Sequence, residues 1–301
     1  MKHITQSQQF DRATIEQLFR RAEALQQSHT QPARGKILAS LFYEPSTRTR
    51  FSFETAMLRL GGQVISTDNA GEFSSASKGE TLEDTIRVIS NYADVIVLRH
   101  PELGASERAA AVADIPVVNA GDGAGQHPSQ ALLDLYTIYK ERGTIDGTRI
   151  AFVGDLKNGR TVRSLSYLLG KFRDITIEYV SPQGLAIGED IIEYLERSGV
   201  RYATYNSWNT VLPQADVVYQ TRVQKERFTD PAEYQTYKGQ YILTAREMDQ
   251  LKSDAVVMHP LPRVDEIAIE VDAYPQAAYF RQVRYGLYAR MALLEHVLES
   301  D

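Results

Sequence analysis

Apolar residues along the chain come in short runs separated by longer stretches of helical spacing. The run KILASLFY (36–43) ends at Glu44 and Pro45, and its length and lack of alternation predict a strand covered on both faces. Beyond it Phe53, Ala56, Met57 and Leu60 recur at i, i+3, i+4 and i+7, one stripe of a helix that Gly61 and Gly62 then stop. The pattern repeats as strand GQVIST, helix TLEDTIRVISNYA, strand DVIVLRH, helix SERAAAVAD and strand IPVVNA. A long helix is predicted from Pro128 to about Arg142, stopped by Gly143. TRIAFVGD (148–155) restarts the series, followed by helix TVRSLSYLLGKF, strand DITIEYVS, helix GEDIIEYLERSG and strands ADVVYQT and AVVMHP. GLYARMALLEHVLES closes the chain as an amphipathic helix. Repeated βα units predict mainly parallel sheets. The expected architecture is α/β: two doubly wound domains, each a mainly parallel sheet flanked by helices, joined by interdomain helices. The predicted divisions are 1–142, 143–284, and a helix at 285–301 that packs back on the first domain.

A length of 301 residues suits two such domains. No window approaches the roughly 18 consecutive apolar residues of a membrane span, and the N-terminus carries no apolar signal core. The chain is therefore expected in the cytoplasm, with no membrane partner. There are no cysteines, which removes disulfides, thiolate catalysis and cysteine-based zinc sites together. A net charge of -6 argues against a nucleic-acid partner, whose phosphates need a basic field. A small anion needs only a local cluster of arginines.

One such cluster is Ser46-Thr47-Arg48-Thr49-Arg50, placed where the strand ending at Tyr43 turns into a helix. Unpaired N–H groups and the partial positive charge of a helix start attract anions. Two arginines there oppose the helix dipole, so a negative partner is expected. A plain N-cap at Ser46 with solvated arginines is the alternative.

FYEPSTRTRFSFE, with HPSQALLDLYT and MHPLPRVDEI further along, resembles the aspartate and ornithine carbamoyltransferase family over essentially the whole chain. The combination of STRTR, HPxQ and HPLPR is more specific than any one of them. The resemblance implies transfer of the carbamoyl group of carbamoyl phosphate to L-aspartate, an early step of de novo pyrimidine biosynthesis. It implies that Ser46, Thr47, Arg48 and Thr49 hold the phosphate.

His127 and Gln130 lie three apart at a helix start behind Pro128, on one face. Gly121, Gly123 and Gly125 before them are expected to let the backbone approach a ligand. A capping or surface histidine is the alternative. By resemblance His127 donates to the carbamoyl oxygen and Gln130 holds the carbamoyl nitrogen. Arg99 ends the strand DVIVLR, beyond which ligands of parallel sheets gather; by resemblance it contacts both phosphate and carbamoyl oxygen. Arg48, Thr49, Arg99 and His127 are thus the expected catalytic residues, acting on a tetrahedral intermediate whose oxygen becomes negative.

Arg160 follows the strand AFVGD, and Arg222 with Gln224 follows ADVVYQ. Guanidinium forks match carboxylates, although loop arginines are often merely solvated. The resemblance assigns Arg160, Arg222 and Gln224 to the aspartate carboxylates, and the backbone carbonyls of Leu261 and Pro262 to the carbamoyl nitrogen. Ornithine enzymes of the family resemble HCLP at this last motif, whereas this chain reads HPLP and has no cysteine. Ser74 and Lys78 sit in a small-residue polar stretch that reads as a loop. By resemblance this loop enters a neighbouring subunit's site, with Ser74 on phosphate and Lys78 on both substrates, in a homotrimer that shares active sites.

Glu44, otherwise a turn residue, is implied to pair with Arg160 and Arg227. Gly154-x4-Gly159-Arg160-Thr161 nearly matches a phosphate-binding loop, but arginine replaces its lysine and Asp155 would repel a triphosphate. No cofactor or metal is expected. Regulatory chains or a dihydroorotase partner stay open. So do the rival readings: transfer to another amino acid such as ornithine, or a silent carbamoyl-phosphate-binding relative.

Overall fold

The computed structural model describes residues 2–27, 30–68 and 79–299. It divides into two compact units, Met1–Tyr136 with Arg284–Asp301, and Thr137–Val283.

The first unit contains α1 (Arg12–Gln27), β1 (Ile37–Phe42), α2 (Thr47–Arg59), β2 (Gln63–Asp68), α3 (Leu82–Ile89), β3 (Val95–His100), α4 (Ala105–Val112), β4 (Val117–Asp122) and the start of α5 (Pro128–Arg142). Its strands pair in parallel in the order β2-β1-β3-β4. Buried positions run unbroken from Leu38 to Phe42 and along all of β4, as strands covered on both faces require. Phe53, Ala56, Met57 and Leu60 are all buried, the stripe that the spacing predicts. Gly61 stops α2 in the left-handed region at φ 85°, and Gly62 N donates to Met57 O at 3.0 Å, the closing bond of a helix end that favours glycine.

The second unit takes the rest of α5, then β5 (Arg149–Val153), α6 (Arg160–Leu169), β6 (Thr176–Val180), α7 (Glu189–Arg197), β7 (Arg201–Tyr205), β8 (Val217–Gln220), α8 (Pro231–Tyr237), α9 (Ala245–Met248), β9 (Val256–Met258) and the start of α10 (Tyr279–Leu298). The sheet order is β7-β6-β5-β8-β9, again all parallel. The doubly wound α/β expectation holds in both units, and the division falls inside α5 and α10.

Several elements differ from the pattern, among them the short helix α9, which is not predicted. α10 starts at Tyr279, two turns before GLYARM. α1 lies where no element is predicted, although Ile15, Leu18, Phe19, Ala22 and Leu25 are its buried stripe. β7 is a half-exposed edge strand that pairs only with β6. α8 begins with Pro231 at a helix start capped by Asp230, whose side chain accepts from Ala232 N.

Candidate active site

In the first unit the chain lays β2 on one side of β1 and β3 on the other. The carboxyl ends of β1 and β3 are therefore a switch point, where open parallel sheets gather ligands. Tyr43 N donates to Arg99 O at 2.9 Å and ties the two ends together. The Arg99 guanidinium donates from Nε to Glu44 Oε2 and from Nη1 to Ser46 Oγ, each at 3.2 Å. Ser46 stands at the N-cap of α2, yet its side chain makes no cap bond. Its hydroxyl is held by Arg99 instead.

Thr47 and Arg48 are exposed and Thr49 is buried. Arg50 has a carboxylate near it on its own helix. Its Nε lies 3.6 Å from Glu54 Oε1, the oxygen that also accepts from Ser40 Oγ at 3.0 Å and Ser66 Oγ at 2.6 Å. Glu54, one turn along the same helix, thus supplies Arg50 with the negative partner expected of an arginine at a helix start.

β4 delivers His127 through a turn that Asp122 organises. The Asp122 carboxylate accepts from Gln126 N at 2.7 Å and Gly104 N at 3.2 Å, and burial pushes its carboxyl upward. A Cβ added at Gly123 would meet Pro101 O at 2.5 Å, and one at Gly125 would meet Leu103 Cδ1 at 2.5 Å. These two glycines therefore allow the close packing of two loops. His127 is buried and accepts at its carbonyl from Gln130 N and Ala131 N, so it caps α5 through its backbone. Its Nδ1 lies 3.3 Å from Ser129 Oγ. Gln130 is buried beside it and donates from Nε2 to Asp134 Oδ1 at 2.9 Å.

The second unit repeats the topology. β6 and β7 lie on one side of β5, β8 and β9 on the other, so its switch point is at the ends of β5 and β8. Gly154, at φ 116°, begins the β5 loop, and a Cβ there would sit 2.3 Å from Thr221 O. The next residue, Asp155, is fully buried and raised by that burial. It accepts from Asn158 N at 3.0 Å, from Asn158 Nδ2, and from Gln224 N at 3.3 Å. Gln224 Nε2 in turn donates to Asn158 O at 3.0 Å. The loops carrying Arg160 and Arg222 are thus joined through one buried carboxylate. That carboxylate occupies the loop amide a phosphate would need, which disposes of the nucleotide-loop alternative.

Arg160 is the first residue of α6 and half-buried. Arg222 forms a two-pronged contact with Glu226, one prong at 3.0 Å from Nη1 to Oε2. Burial disfavours the Arg222 charge, but Glu226 outweighs it and holds the guanidinium more basic than usual. Beyond β9, Leu261 adopts φ 53° and donates its N–H to His259 Nδ1 at 2.7 Å. With Nδ1 accepting, the imidazole proton sits on Nε2, which lies 2.7 Å from Glu266 Oε1. Glu266 Oε2 accepts from Val264 N at 3.1 Å and Asp265 N at 3.2 Å. A buried histidine and carboxylate thus hold the turn that presents Leu261 and Pro262.

Within the first unit, Ser46 and Arg99 touch and Gln130 adjoins His127. Within the second, Arg222 and Gln224 share a loop pinned to the one preceding Arg160. Ser74 and Lys78 lie outside the described residues. Asp134, Asp155, Glu226, His259, Glu266 and Arg290 support the site but are not among the residues predicted for it. Glu226 four residues after Arg222 is a signal of pairing that the sequence carries; buried partners on distant elements leave none. Among the described residues no helix is long and apolar enough to cross a membrane.

A family model described as the carbamoyl-P binding domain of aspartate/ornithine carbamoyltransferases matches residues 2–140, and the corresponding Asp/Orn binding domain matches residues 146–297. The aspartate carbamoyltransferase of Oryza sativa subsp. japonica, named as chloroplastic, is 54% identical over 98% of this chain and 84% of its own length. The aspartate carbamoyltransferase catalytic subunit of Vibrio cholerae is 50% identical over 100% of this chain and 97% of its own. Aspartate transcarbamoylase from Trypanosoma cruzi, solved in complex with carbamoyl phosphate and aspartate, superimposes with a TM-score of 0.94 at 45% identity, covering 98% of this chain and 96% of that one.

Proposed function

The chain belongs to the aspartate/ornithine carbamoyltransferase family, and from that premise we propose how its residues divide the work. It is an enzyme that transfers the carbamoyl group of carbamoyl phosphate to L-aspartate, giving N-carbamoyl-L-aspartate and phosphate. The observation that carries this reading is the Arg99 guanidinium bonded to Ser46 at the β1/β3 switch point, beside the anion-attracting start of α2. The relatives named above favour aspartate over ornithine, as does HPLP in a chain without cysteine.

Residues 1–142 form the carbamoyl-phosphate domain, in which Ser46, Thr47, Arg48 and Thr49 hold the phosphate. Residues 143–284 form the aspartate domain, in which Arg160, Arg222 and Gln224 take the carboxylates. The helix at 285–301 belongs with the former. Leu261 and Pro262 offer carbonyls to the carbamoyl nitrogen, and Gln130 offers its side-chain oxygen. The neutral amine of aspartate attacks the carbamoyl carbon, forming the C–N bond. Charge moves to the carbamoyl oxygen, where Thr49, Arg99 and His127 donate, each worth about 2.7 to 4 kcal/mol of barrier if such donors behave as usual. Collapse breaks the bond to the phosphate oxygen, and the departing phosphate takes the amine proton. No cofactor enters this scheme.

The exposed apolar side chains Phe51, Leu58, Val88, Tyr92 and Leu103 of the first unit support self-association. The assembly proposed is a trimer in which Ser74 and Lys78 of one chain serve another's site. The product places the enzyme early in pyrimidine formation, and the cytoplasm is the proposed compartment. Purified protein incubated with carbamoyl phosphate and, in parallel, L-aspartate, L-ornithine or acetylornithine tests the chemistry: only aspartate should be carbamoylated, and no carbamoylaspartate ends the reading. Mixing inactive Arg48→Ala and Lys78→Ala chains tests the sharing, since mixed trimers should recover activity that neither parent has.

A further inference from the structure

Gln130 is gripped at both ends. Its Nε2 donates to Asp134 Oδ1 at 2.9 Å, and its Oε1 accepts from Arg290 Nη2 at 3.5 Å. Asp134 is fully buried, and Arg290 is 5% exposed on α10 with its guanidinium 5.0 Å from the centre of the Phe53 ring on α2. Burial lowers Arg290 to about 10, so it remains cationic at neutral pH. Buried charges of opposite sign are commonly no more stabilising than apolar residues of the same volume, so stability alone gives little reason to hold two of them at the ends of one amide.

A carboxamide has two nearly isosteric orientations that differ only in which end donates. Turned over, Gln130 would set its oxygen against the Asp134 carboxylate and its amino group against the Arg290 guanidinium. Both contacts would then be repulsive in a site with little water to screen them. We propose that Asp134 and Arg290 are positioning residues that lock the Gln130 amide with its oxygen presented as an acceptor, so that the enzyme distinguishes a carbamoyl amino group from the bare phosphate that shares its anion site. This rests on the functional reading above, in which Gln130 meets the carbamoyl nitrogen. The amide oxygen has a second lone pair for that donor, while Arg290 uses the first.

The test is the ratio of affinities for carbamoyl phosphate and inorganic phosphate, measured by calorimetry on the full-length protein. Arg290→Met should lower that ratio about tenfold, as expected when a buried acceptor is presented wrongly, with phosphate binding itself within about twofold. Gln130→Ala should lower it as much. Adding Arg290→Met to Gln130→Ala should change it no further, since coupled residues are not additive. Arg290→Lys, which keeps the buried charge, should restore most of the ratio and serves in the same cycle if the methionine variant does not fold. Equal weakening of both ligands, or additive effects in the cycle, would overturn the proposal. A wild-type chain that does not prefer carbamoyl phosphate over phosphate would overturn the functional reading and this inference together.

Discussion

Glu44 Oε2 and Arg99 Nε stand 3.2 Å apart at the ends of neighbouring strands, so a guanidinium assigned to an incoming dianion already has a carboxylate against it. The pair is partly exposed, with side-chain accessibilities of 26% and 18%, where ion pairs are worth about 1 kcal/mol or less. Such a contact holds the arginine in place without binding it tightly. A phosphate with three acceptor oxygens can compete for it.

Glu44→Ala removes that competitor. Inorganic phosphate should then inhibit two- to threefold more strongly, on the order of the weak pair that is lost. Product-inhibition constants at saturating aspartate read the change. Weaker inhibition would show that Glu44 instead holds Arg99 in its working orientation.

His127→Ala removes one donor to the developing oxyanion. Turnover should fall about 100- to 1000-fold, with phosphate affinity nearly unchanged because the proposed phosphate ligands at the start of α2 and at Arg99 are retained. Steady-state kinetics together with phosphate titration separate the two. A parallel loss of both would give His127 a structural role through its cap of α5.

Asp155→Asn replaces a carboxylate surrounded only by donors with a group that carries its own donors. The two loops that it joins should separate, raising the KM for aspartate by about ten- to a hundredfold, the range for losing buried hydrogen bonds to a charged group. Carbamoyl phosphate binding should be largely spared. Unchanged aspartate kinetics would show that the loops hold their places without Asp155.

Glu266 makes a prediction about acid stability. Burial alone would raise it, but the hydrogen bond from His259 and the backbone amides beside it outweigh burial and hold it below its ordinary 4.5. A depressed native value means that its contribution is complete above the ordinary carboxylate range and is lost as pH falls through the lowered value. Wild type should melt higher than Glu266→Gln at pH 7, with the gap closing below about pH 4.5. A gap that widens on acidification would reverse the assignment.

The elements most legible in the sequence are those whose burial is continuous or strictly periodic. β1 and the first half of β4 are mostly apolar runs that are buried, and Phe53 to Leu60 mark one face of α2 without reference to the rest of the chain. β7 is invisible by the same reasoning, because RYATY is a half-exposed edge whose partner, not its composition, makes it a strand. α1 shows its stripe of Ile15, Leu18, Phe19, Ala22 and Leu25 plainly in the sequence. The motif residues are legible as residue types, but their partners are not. Arg50 and Arg48 look alike in STRTR, and the sequence does not show that Glu54 near Arg50 also gathers the hydroxyls of Ser40 and Ser66. Asp134 and Arg290 read as ordinary polar positions on two helices, since tertiary packing alone decides that both are buried.

The two-pronged hold of Glu226 on Arg222 bears on discrimination among amino acids. Under the proposed assignment of Arg222 to an aspartate carboxylate, the arriving ligand meets an occupied fork, so its gain is the difference between two similar contacts and not the full value of one. A monocarboxylic amino acid has little with which to displace the resident glutamate. A dicarboxylic one, anchored first by its other acid group, meets Arg222 at high local concentration and can share or exchange the contact. Selectivity of this kind comes from an internal mimic that every candidate must outcompete.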